Sequence, residues 1–332
     1  MHERIRAGTR RRTRHAVRAI LPALLAFALP AAANAATVQV VTVGSRMATF
    51  SADPGEANNV RVSLTAAGIV FDDQVPIRAV GSECRIDAAG NGVCPANVDS
   101  IHVITRDGND RIQYTAPHKG AVMAGDGSDI IFGGLRQAGF GRQIEPVQYI
   151  GNETRTDPGV DTVSYSQADR GVSVDLGDAH VTQNPAYNDG RPGIDREHIF
   201  SDIEVIEGSP FADPQLFGSD RHETFRGLGG DDVIGTGGGD DYIDESDANN
   251  GADTLNGGNG NDRVLYTGRA SGVIVSLDGV RNDGAPGERD DVRPSVEHVN
   301  GTDSVDTLIG KGAGEQPDRV RRQRQDRGPR RQ

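Results

Sequence analysis

Gly257-Gly258-Asn259-Gly260-Asn261-Asp262-Arg263-Val264-Leu265 matches the nonapeptide G-G-x-G-x-D-x-U-x at every fixed position, where U is apolar. Its first six residues are turn chemistry, because Gly reaches left-handed backbone angles that direct carbonyl oxygens inward. Its last three residues suit a short strand that turns Val264 inward. The frame recurs in the neighbouring sequence. Asp232 leads to Ile234 and Asp241 to Ile243, nine residues on; Asp253 leads to Leu255 and Asp262 to Val264, again nine on. Glu223 and Phe225 extend the register upstream with Glu in place of Asp. Between Ile243 and Leu255 the step is twelve, so three residues are inserted there, close to Asp244, Glu245 and Asp247. Leu228 and Thr236 stand where Gly is usual, and Asp213-Pro214-Gln215-Leu216 is out of register by one residue.

Degenerate units lie outside this block: Gly108-Asn109-Asp110-Arg111-Ile112, Gly125-Asp126-Gly127-Ser128-Asp129-Ile130, Asp161-Thr162-Val163 and Asp306-Thr307-Leu308. Taken singly, Asp110, Asp129, Asp161 and Asp306 read equally as turn residues or as ligands. A longer repeat frames them. Asp161-Thr162-Val163-Ser164-Tyr165 and Gly171-Val172-Ser173-Val174-Asp175-Leu176 return 101 residues later as Asp262-Arg263-Val264-Leu265-Tyr266 and Gly272-Val273-Ile274-Val275-Ser276-Leu277. Each copy continues through Asn-Asp-Gly (188–190, 282–284), which reads as a hairpin or loop turn. Each then reaches a short strand at Ile203–Ile206 or Val296–Val299. Tyr165 and Tyr266 read as packing residues.

The chemistry of this spacing is that of a hard cation. A carboxylate beside turn carbonyls gives the flexible, all-oxygen ring that suits Ca²⁺, which takes 6–8 oxygens; Mg²⁺ demands a tighter octahedron. Transition metals would call for His or Cys, which the repeats lack. Charge agrees. The chain has 332 residues, 35 basic and 48 acidic. Removing the seven Arg and single acid of 1–35, and the same numbers at 319–332, leaves 21 basic and 46 acidic residues in 36–318. That net charge of −25 opposes compaction unless a cation binds, and it argues against a nucleic-acid partner. With 44 Gly, no Trp and 5% aromatic residues, one Ile, Leu or Val per repeat makes a thin core that a metal must supplement.

Residues 218–265 resemble the hemolysin-type calcium-binding repeats of RTX proteins, and the looser match over 105–312 resembles secreted bacterial calcium-binding repeat proteins with the same D-x-V-x-Y…G-V-x-V-x-L run. The resemblance implies an all-β chain wound as a parallel β-roll or β-solenoid, two nonapeptides per turn, with Ca²⁺ between successive loops. It nominates Asp232, Asp241, Asp253 and Asp262 as carboxylate ligands, with Gly257, Gly258 and Gly260 supplying the loop. Glu223, Asp129, Asp110 and Asp306 are weaker nominees. The alternatives are a flexible Gly-Asp-rich linker over 218–265 and a metal-free stack in which Asp only caps turns.

The flanks define the remaining regions. Arg10–Arg18, an apolar run from Ala19 to Ala33 and Ala33-Asn34-Ala35 form the n-region, h-region and cleavage site of a secretory signal over 1–35. A secreted protein, extracellular or at the cell surface, is therefore expected. Cys84 and Cys94 flank a strong turn, Asp87–Gly92, and read as one disulfide closing a hairpin loop, worth roughly 2–3 kcal/mol; a redox-active pair is the alternative. Residues 36–104 alternate apolar and polar positions and are expected to form an N-terminal β cap before the repeat modules of 105–312. Residues 313–332 break the pattern abruptly. They read as a disordered basic tail, either a frameshift product or a polyanion binder.

No H-E-x-x-H occurs, and no Ser has Gly at both −2 and +2, so zinc-protease and lipase signatures are missing. His198, His222 and His298 are expected at the surface or in turns. No apolar run reaches the roughly 18 residues of a spanning helix. The expectation is a non-catalytic, calcium-binding structural or surface protein with cell-surface or matrix partners. The alternative is a truncated fragment of a secreted RTX enzyme or toxin.

Overall fold

The computed structural model describes residues 35–137, 143–151, 159–177, 188–247 and 250–311. The expected signal segment, Ala35 aside, and the basic tail at 313–332 lie outside the described residues. The described residues are all-β, and their strands form four sheets.

The first sheet has the order β15-β12-β10-β8-β2-β1-β5, from Ala36–Val43 (β1), Ser45–Ser51 (β2), Ile77–Ala79 (β5), Ser100–Ile104 (β8), Lys119–Met123 (β10), Val147–Ile150 (β12) and Glu197–Ile199 (β15). The second is a twelve-stranded spine. It runs from the antiparallel group Asn59–Thr65 (β3), Gly68–Asp72 (β4), Arg85–Ile86 (β6) and Gly92–Cys94 (β7) through Arg111–Tyr114 (β9), Ile130–Phe132 (β11), Thr162–Ser164 (β13), Val205–Glu207 (β16), Thr224–Arg226 (β18), Tyr242–Asp244 (β20) and Arg263–Leu265 (β22) to His298–Asn300 (β25). The third sheet joins Ser173–Asp175 (β14), Gln215–Phe217 (β17), Val233–Gly235 (β19), Thr254–Asn256 (β21) and Asp291–Val292 (β24). The fourth pairs Ile274–Ser276 (β23) with Thr307–Ile309 (β26).

From β8 onward every strand pairing is parallel. The chain returns to the spine after a visit to another sheet, and the register shows the repeat at work. Phe225 stacks on Ile243, eighteen residues on, or two nonapeptides. Ile243 stacks on Val264 at twenty-one, where the three-residue insertion falls. Leu216–Ile234 and Ile234–Leu255 repeat both steps in the third sheet. Ile206, Phe225, Ile243 and Val264 from the spine and Leu216, Ile234, Leu255 and Val292 from the third sheet are fully buried and belong to one core cluster. One inward side chain per strand therefore builds two rows that share a core.

The stack starts inside the stretch expected to be a cap. β2 pairs in parallel with β8 and β3 with β9, while β1, β4, β6 and β7 add antiparallel neighbours at that end. The Cys84–Cys94 disulfide is present. It closes the β6–β7 hairpin, whose turn is fixed by the Asp87 carboxylate accepting from the backbone N–H of Ala89 and Asn91, both at 2.9 Å.

The 101-residue repeat is the device that changes sheets. In the first copy the chain leaves the spine at β13, starts the third sheet with β14, ends the first sheet with β15 and returns at β16. In the second copy it leaves at β22, starts the fourth sheet with β23, ends the third with β24 and returns at β25. The Asn-Asp-Gly turns hold these crossings. Asp189 and Asp283, both buried, accept from Asp175 N–H (2.8 Å) and Ile199 N–H (2.8 Å), and from Ser276 N–H (2.6 Å) and Val292 N–H (2.9 Å). Each thus ties the opening strand of a new sheet to the closing strand of the old one. Tyr165 and Tyr266, packed in the core, each donate to a buried carboxylate beside the closing strand: Glu197 at 2.8 Å and Asp290 at 3.0 Å. Glu197 also accepts from Tyr149 (3.0 Å) and Gly134 N–H (3.2 Å).

Burial, seconded by the Asp195 charge, raises the Glu197 pKa. A carboxyl raised on folding contributes stability below its unfolded pKa and loses it as pH rises through the folded value. Glu197→Gln brings amide hydrogens against the Tyr149, Tyr165 and Gly134 donors and is expected to lower Tm, but by less at pH 8 than at pH 4, as read by thermal unfolding at the two pH values. His198 is buried, against the expectation of a surface position. It lies on β15, an inward segment of the crossing, and packs edge-on against Phe200 at 4.7 Å. His222 and His298 are exposed.

Candidate metal sites

The repeat Asp residues form two buried ladders. In one, the N–H of each rung donates to the carboxylate of the next: Asp213 to Asp232 (2.8 Å), Asp232 to Asp253 (2.8 Å) and Asp253 to Asp290 (3.1 Å). In the other, Glu223 donates to Asp241 (2.8 Å), Asp241 to Asp262 (3.0 Å) and Asp262 to Glu297 (2.9 Å). An upstream stretch links Asn58, Asp110, Asp129, Asp161 and Glu204 in the same way. Every D-x-U turn thus places a carboxylate under the backbone of the preceding turn, which consumes one of its two oxygens.

The fate of the second oxygen separates the rungs. Four residues before Asp213, Glu223 and Asp306 stand Ser209, Ser219 and Thr302. Each hydroxyl and N–H closes the carboxylate: Ser209 Oγ to Asp213 at 2.6 Å and its N–H at 2.8 Å, Thr302 Oγ1 and N–H to Asp306 at 2.9 Å each, and Ser219 to Glu223. Four residues before Asp110, Asp232, Asp241 and Asp262 stand Arg106, Leu228, Gly237 and Gly258. All four have left-handed φ, at 76°, 73°, 92° and 83°. That position brings no hydroxyl; Thr105 and Thr236, five residues before Asp110 and Asp241, lie near enough to favour the charged carboxylates but donate their hydroxyl hydrogens to Ala124 O (2.8 Å) and Gly257 O (2.6 Å). The Oδ2 atoms of Asp110, Asp232, Asp241, Asp253 and Asp262 are buried and meet no hydrogen-bond donor. Leu228 takes the Gly conformation at a cost of about 1–2 kcal/mol, so the frame prevails over the residue.

The glycines are needed for close approach. A Cβ on Gly257 would stand 2.5 Å from Asp262 Oδ2, and one on Gly258 or Gly260 would strike the carbonyl oxygen of Gly237 or Gly239 in the turn below. Gly258 and Gly260 also have φ of +83° and +147°.

Burying a carboxylate without a donor disfavours its charged form. Burial pushes Asp232 up to about 9, Asp110 and Glu223 to about 7, and Asp213 and Asp241 to about 6. Asp262 and Asp253 are also raised, first by burial; the charge of Asp290 adds to the effect at Asp253. Asp253 lies near the Glu245 carboxyl, which burial and the Asp253 charge push well above the usual range, and Glu245 Oε1 likewise meets no donor. Asn250 and Arg269 hold Glu245 on its other side. Of the acids in the insertion, Asp244 pairs with Arg226 at 3.0 Å and Asp247 is exposed. The ladders end on donors: the neutral Tyr266 hydroxyl on Asp290 at 3.0 Å, and the Lys311 ammonium on Glu297 at 2.6 Å.

The nominated residues are therefore brought together in columns, one carboxylate per turn. Among the described residues no three His, Cys, Asp or Glu side chains converge as a cluster that could hold a metal. A metal here must use turn oxygens together with single carboxylates. Buried, donor-less acceptor oxygens beside Gly-rich turns fit a hard, oxygen-seeking cation. They do not fit a soft metal.

No family model matches the chain, and no curated protein matches it. Among the described residues no helix is long and apolar enough to cross a membrane.

Proposed function

We propose that this is a secreted calcium-binding repeat protein of the RTX type, its parallel β-roll completed by Ca²⁺ held between successive turns. The observation that carries this reading is the set of Oδ2 atoms on Asp232, Asp241, Asp253 and Asp262, buried and without donors. A fold that only capped turns with Asp would leave no reason for these oxygens to stay open, since Ser or Thr four residues upstream closes them elsewhere in the same chain. Asp110 is the outlying fifth candidate. Glu223 and Asp306, closed by Ser219 and Thr302, serve as structural rungs. Bound calcium would supply positive charge that offsets the ladder's own repulsion; Asp232, Asp241, Asp253 and Asp262 would hold it, and their hydrogen bonds to the preceding turn keep the turns in register. The role is structural: presentation of an extended sheet surface to cell-surface or matrix components, with no catalysis.

Calorimetric titration of the full chain with CaCl₂ tests the proposal. About four binding events are expected, reduced in Asp262→Ala. Absence of binding heat at millimolar calcium, together with unchanged far-UV circular dichroism, would sink it.

A further inference from the structure

The two sheet crossings share one framework and differ in what fills it. Ile131 and Tyr149 of the first correspond to Ile243 and Leu255 of the second, by their pairing with Val163 and Ile199 and with Val264 and Val292. The same register matches Gly133 with Glu245, Val147 with Asp253 and Glu197 with Asp290. The backbone agrees: Gly133 N–H donates to Ser164 O at 3.0 Å, and Glu245 N–H to Leu265 O at 2.8 Å. In these three places the first crossing holds one carboxylate, Glu197, met by donors from Tyr149, Tyr165 and Gly134. A Cβ on Gly133 would stand 2.4 Å from the Tyr165 ring, so no side chain fits there. The second crossing has three carboxylates, and Glu245, Asp253 and Asp290 are each at most 1% exposed. In the first crossing Arg136 and Arg191 stand against Glu197 and Asp195. In the second, Arg269 stands against Glu245, Asp253, Glu288 and Asp290, so one guanidinium and four carboxylates leave a net charge of −3 in a buried site.

We propose that the second crossing is a Ca²⁺ site of its own kind, holding the ion between two carboxylates, Glu245 and Asp253, and filling before the single-carboxylate turn sites. The inference rests on the calcium reading above. Glu245 is clamped on one side: Asn250 Nδ2 donates to its Oε2, and Arg269 stands beside it. Arg269 is itself fixed by Glu288, by Asn250 Oδ1 at 2.8 Å and by the Tyr266 ring at 4.9 Å. The clamp leaves Glu245 Oε1 buried without a donor. Asp253 spends Oδ1 on the Asp232 N–H at 2.8 Å and keeps Oδ2 buried and open. The two carboxyls lie within hydrogen-bonding reach of each other. Two carboxylates brought together out of water require a proton or a cation between them. The charge selects the cation: a proton would leave −2 in the site, a divalent ion −1. The all-oxygen donors select a hard one. Asp290 deepens the negative potential but offers no open oxygen, since it accepts from Asp253 N–H at 3.1 Å and from Tyr266 at 3.0 Å. The three-residue insertion thereby gains a use, because its segment carries both Glu245 and the Asn250 that orients it.

Calorimetric titration of the full chain with CaCl₂ at pH 8 tests this. One event is expected to be roughly 10-fold or more tighter than the others, because ligand charge count and site rigidity set Ca²⁺ affinity. Glu245→Gln and Asp253→Asn should each abolish that event. Asp262→Ala should remove a weaker event and leave the tight one. In chelator Glu245→Gln should melt no lower than the wild type, since its amide can donate to Asp253 across the pair; that melting curve also shows that the variant folds. A wild-type chain with no event set apart in affinity means that the pair holds a proton, and it overturns the proposal while the turn sites stand. A Glu245→Gln chain that keeps the tight event overturns it equally. A chain that binds no calcium at all overturns both the proposal and the reading beneath it.

Discussion

Adding a chelator is expected to lower the thermal midpoint of this protein by about 10–20 °C relative to millimolar calcium. The estimate rests on the four open carboxylates of Asp232, Asp241, Asp253 and Asp262. Extracellular Ca²⁺ modules have dissociation constants near 10⁻⁴–10⁻³ M. At calcium tenfold above such a constant each site contributes RT ln 11, about 1.4 kcal/mol, and four independent sites about 6 kcal/mol. For a domain of 150–250 residues, 1 kcal/mol moves Tm by roughly 2–4 °C. The same sum approaches the whole stability of an ordinary domain. The chelated chain should therefore lose much of its β signal near 37 °C, starting from the 213–300 stack, where each strand contributes one inward residue. The disulfide-closed strands before Ile104 do not rest on these ligands and should melt last. Magnesium should not substitute. Identical melting curves in chelator and in calcium would refute the reading.

The parts of this architecture that follow from local rules could be read in the sequence. Asp-x-U spacing announced which side chains turn inward, and Ile234, Ile243, Leu255 and Val264 are buried as that spacing requires. The Cys84–Cys94 pairing followed from the turn between them. What could not be read was set by non-local partners. The 101-residue repeat was visible as a repeat, but its role in starting one sheet and ending another depends on where β14 and β23 find neighbours. Asp189 and Asp283 read as turn residues because Asn-Asp-Gly is turn chemistry; their burial comes from backbone N–H groups on strands up to 14 positions away. His198 reads as a surface or turn residue from its acidic neighbours, yet it sits buried on a closing strand.

Ser or Thr four residues before an acid, at Ser209–Asp213, Ser219–Glu223 and Thr302–Asp306, marks rungs whose carboxylates are closed. Gly at that place, as at Gly237 and Gly258, marks rungs that stay open. The same column position thus sorts open carboxylates from closed ones, and it explains why Glu223 can replace Asp without breaking the ladder. It also separates Asp110 from Asp306: Asp110 keeps an open oxygen and Asp306 does not.

That distinction predicts a reversal of sign. Asp241→Asn keeps an oxygen for the Glu223 N–H but removes the charge of a buried carboxylate whose Oδ2 meets no donor. In chelator at pH 8 the variant should be about 1 kcal/mol more stable than the wild type, because an uncompensated buried carboxylate is relieved. In millimolar calcium it should be less stable by about 1–2 kcal/mol, since an anionic ligand of the metal is gone. Asp213→Asn is the contrast. Its carboxylate already accepts from Val172 N–H at 2.7 Å and from the Ser209 hydroxyl and N–H, so an amide must lose part of that set and bring hydrogens against donors. It should cost about 1–3 kcal/mol with or without calcium. Denaturant unfolding of both variants in the two buffers reads all four values. If Asp241→Asn and Asp213→Asn respond alike to calcium, the open oxygens are not ligands, and the ladder is a purely structural one.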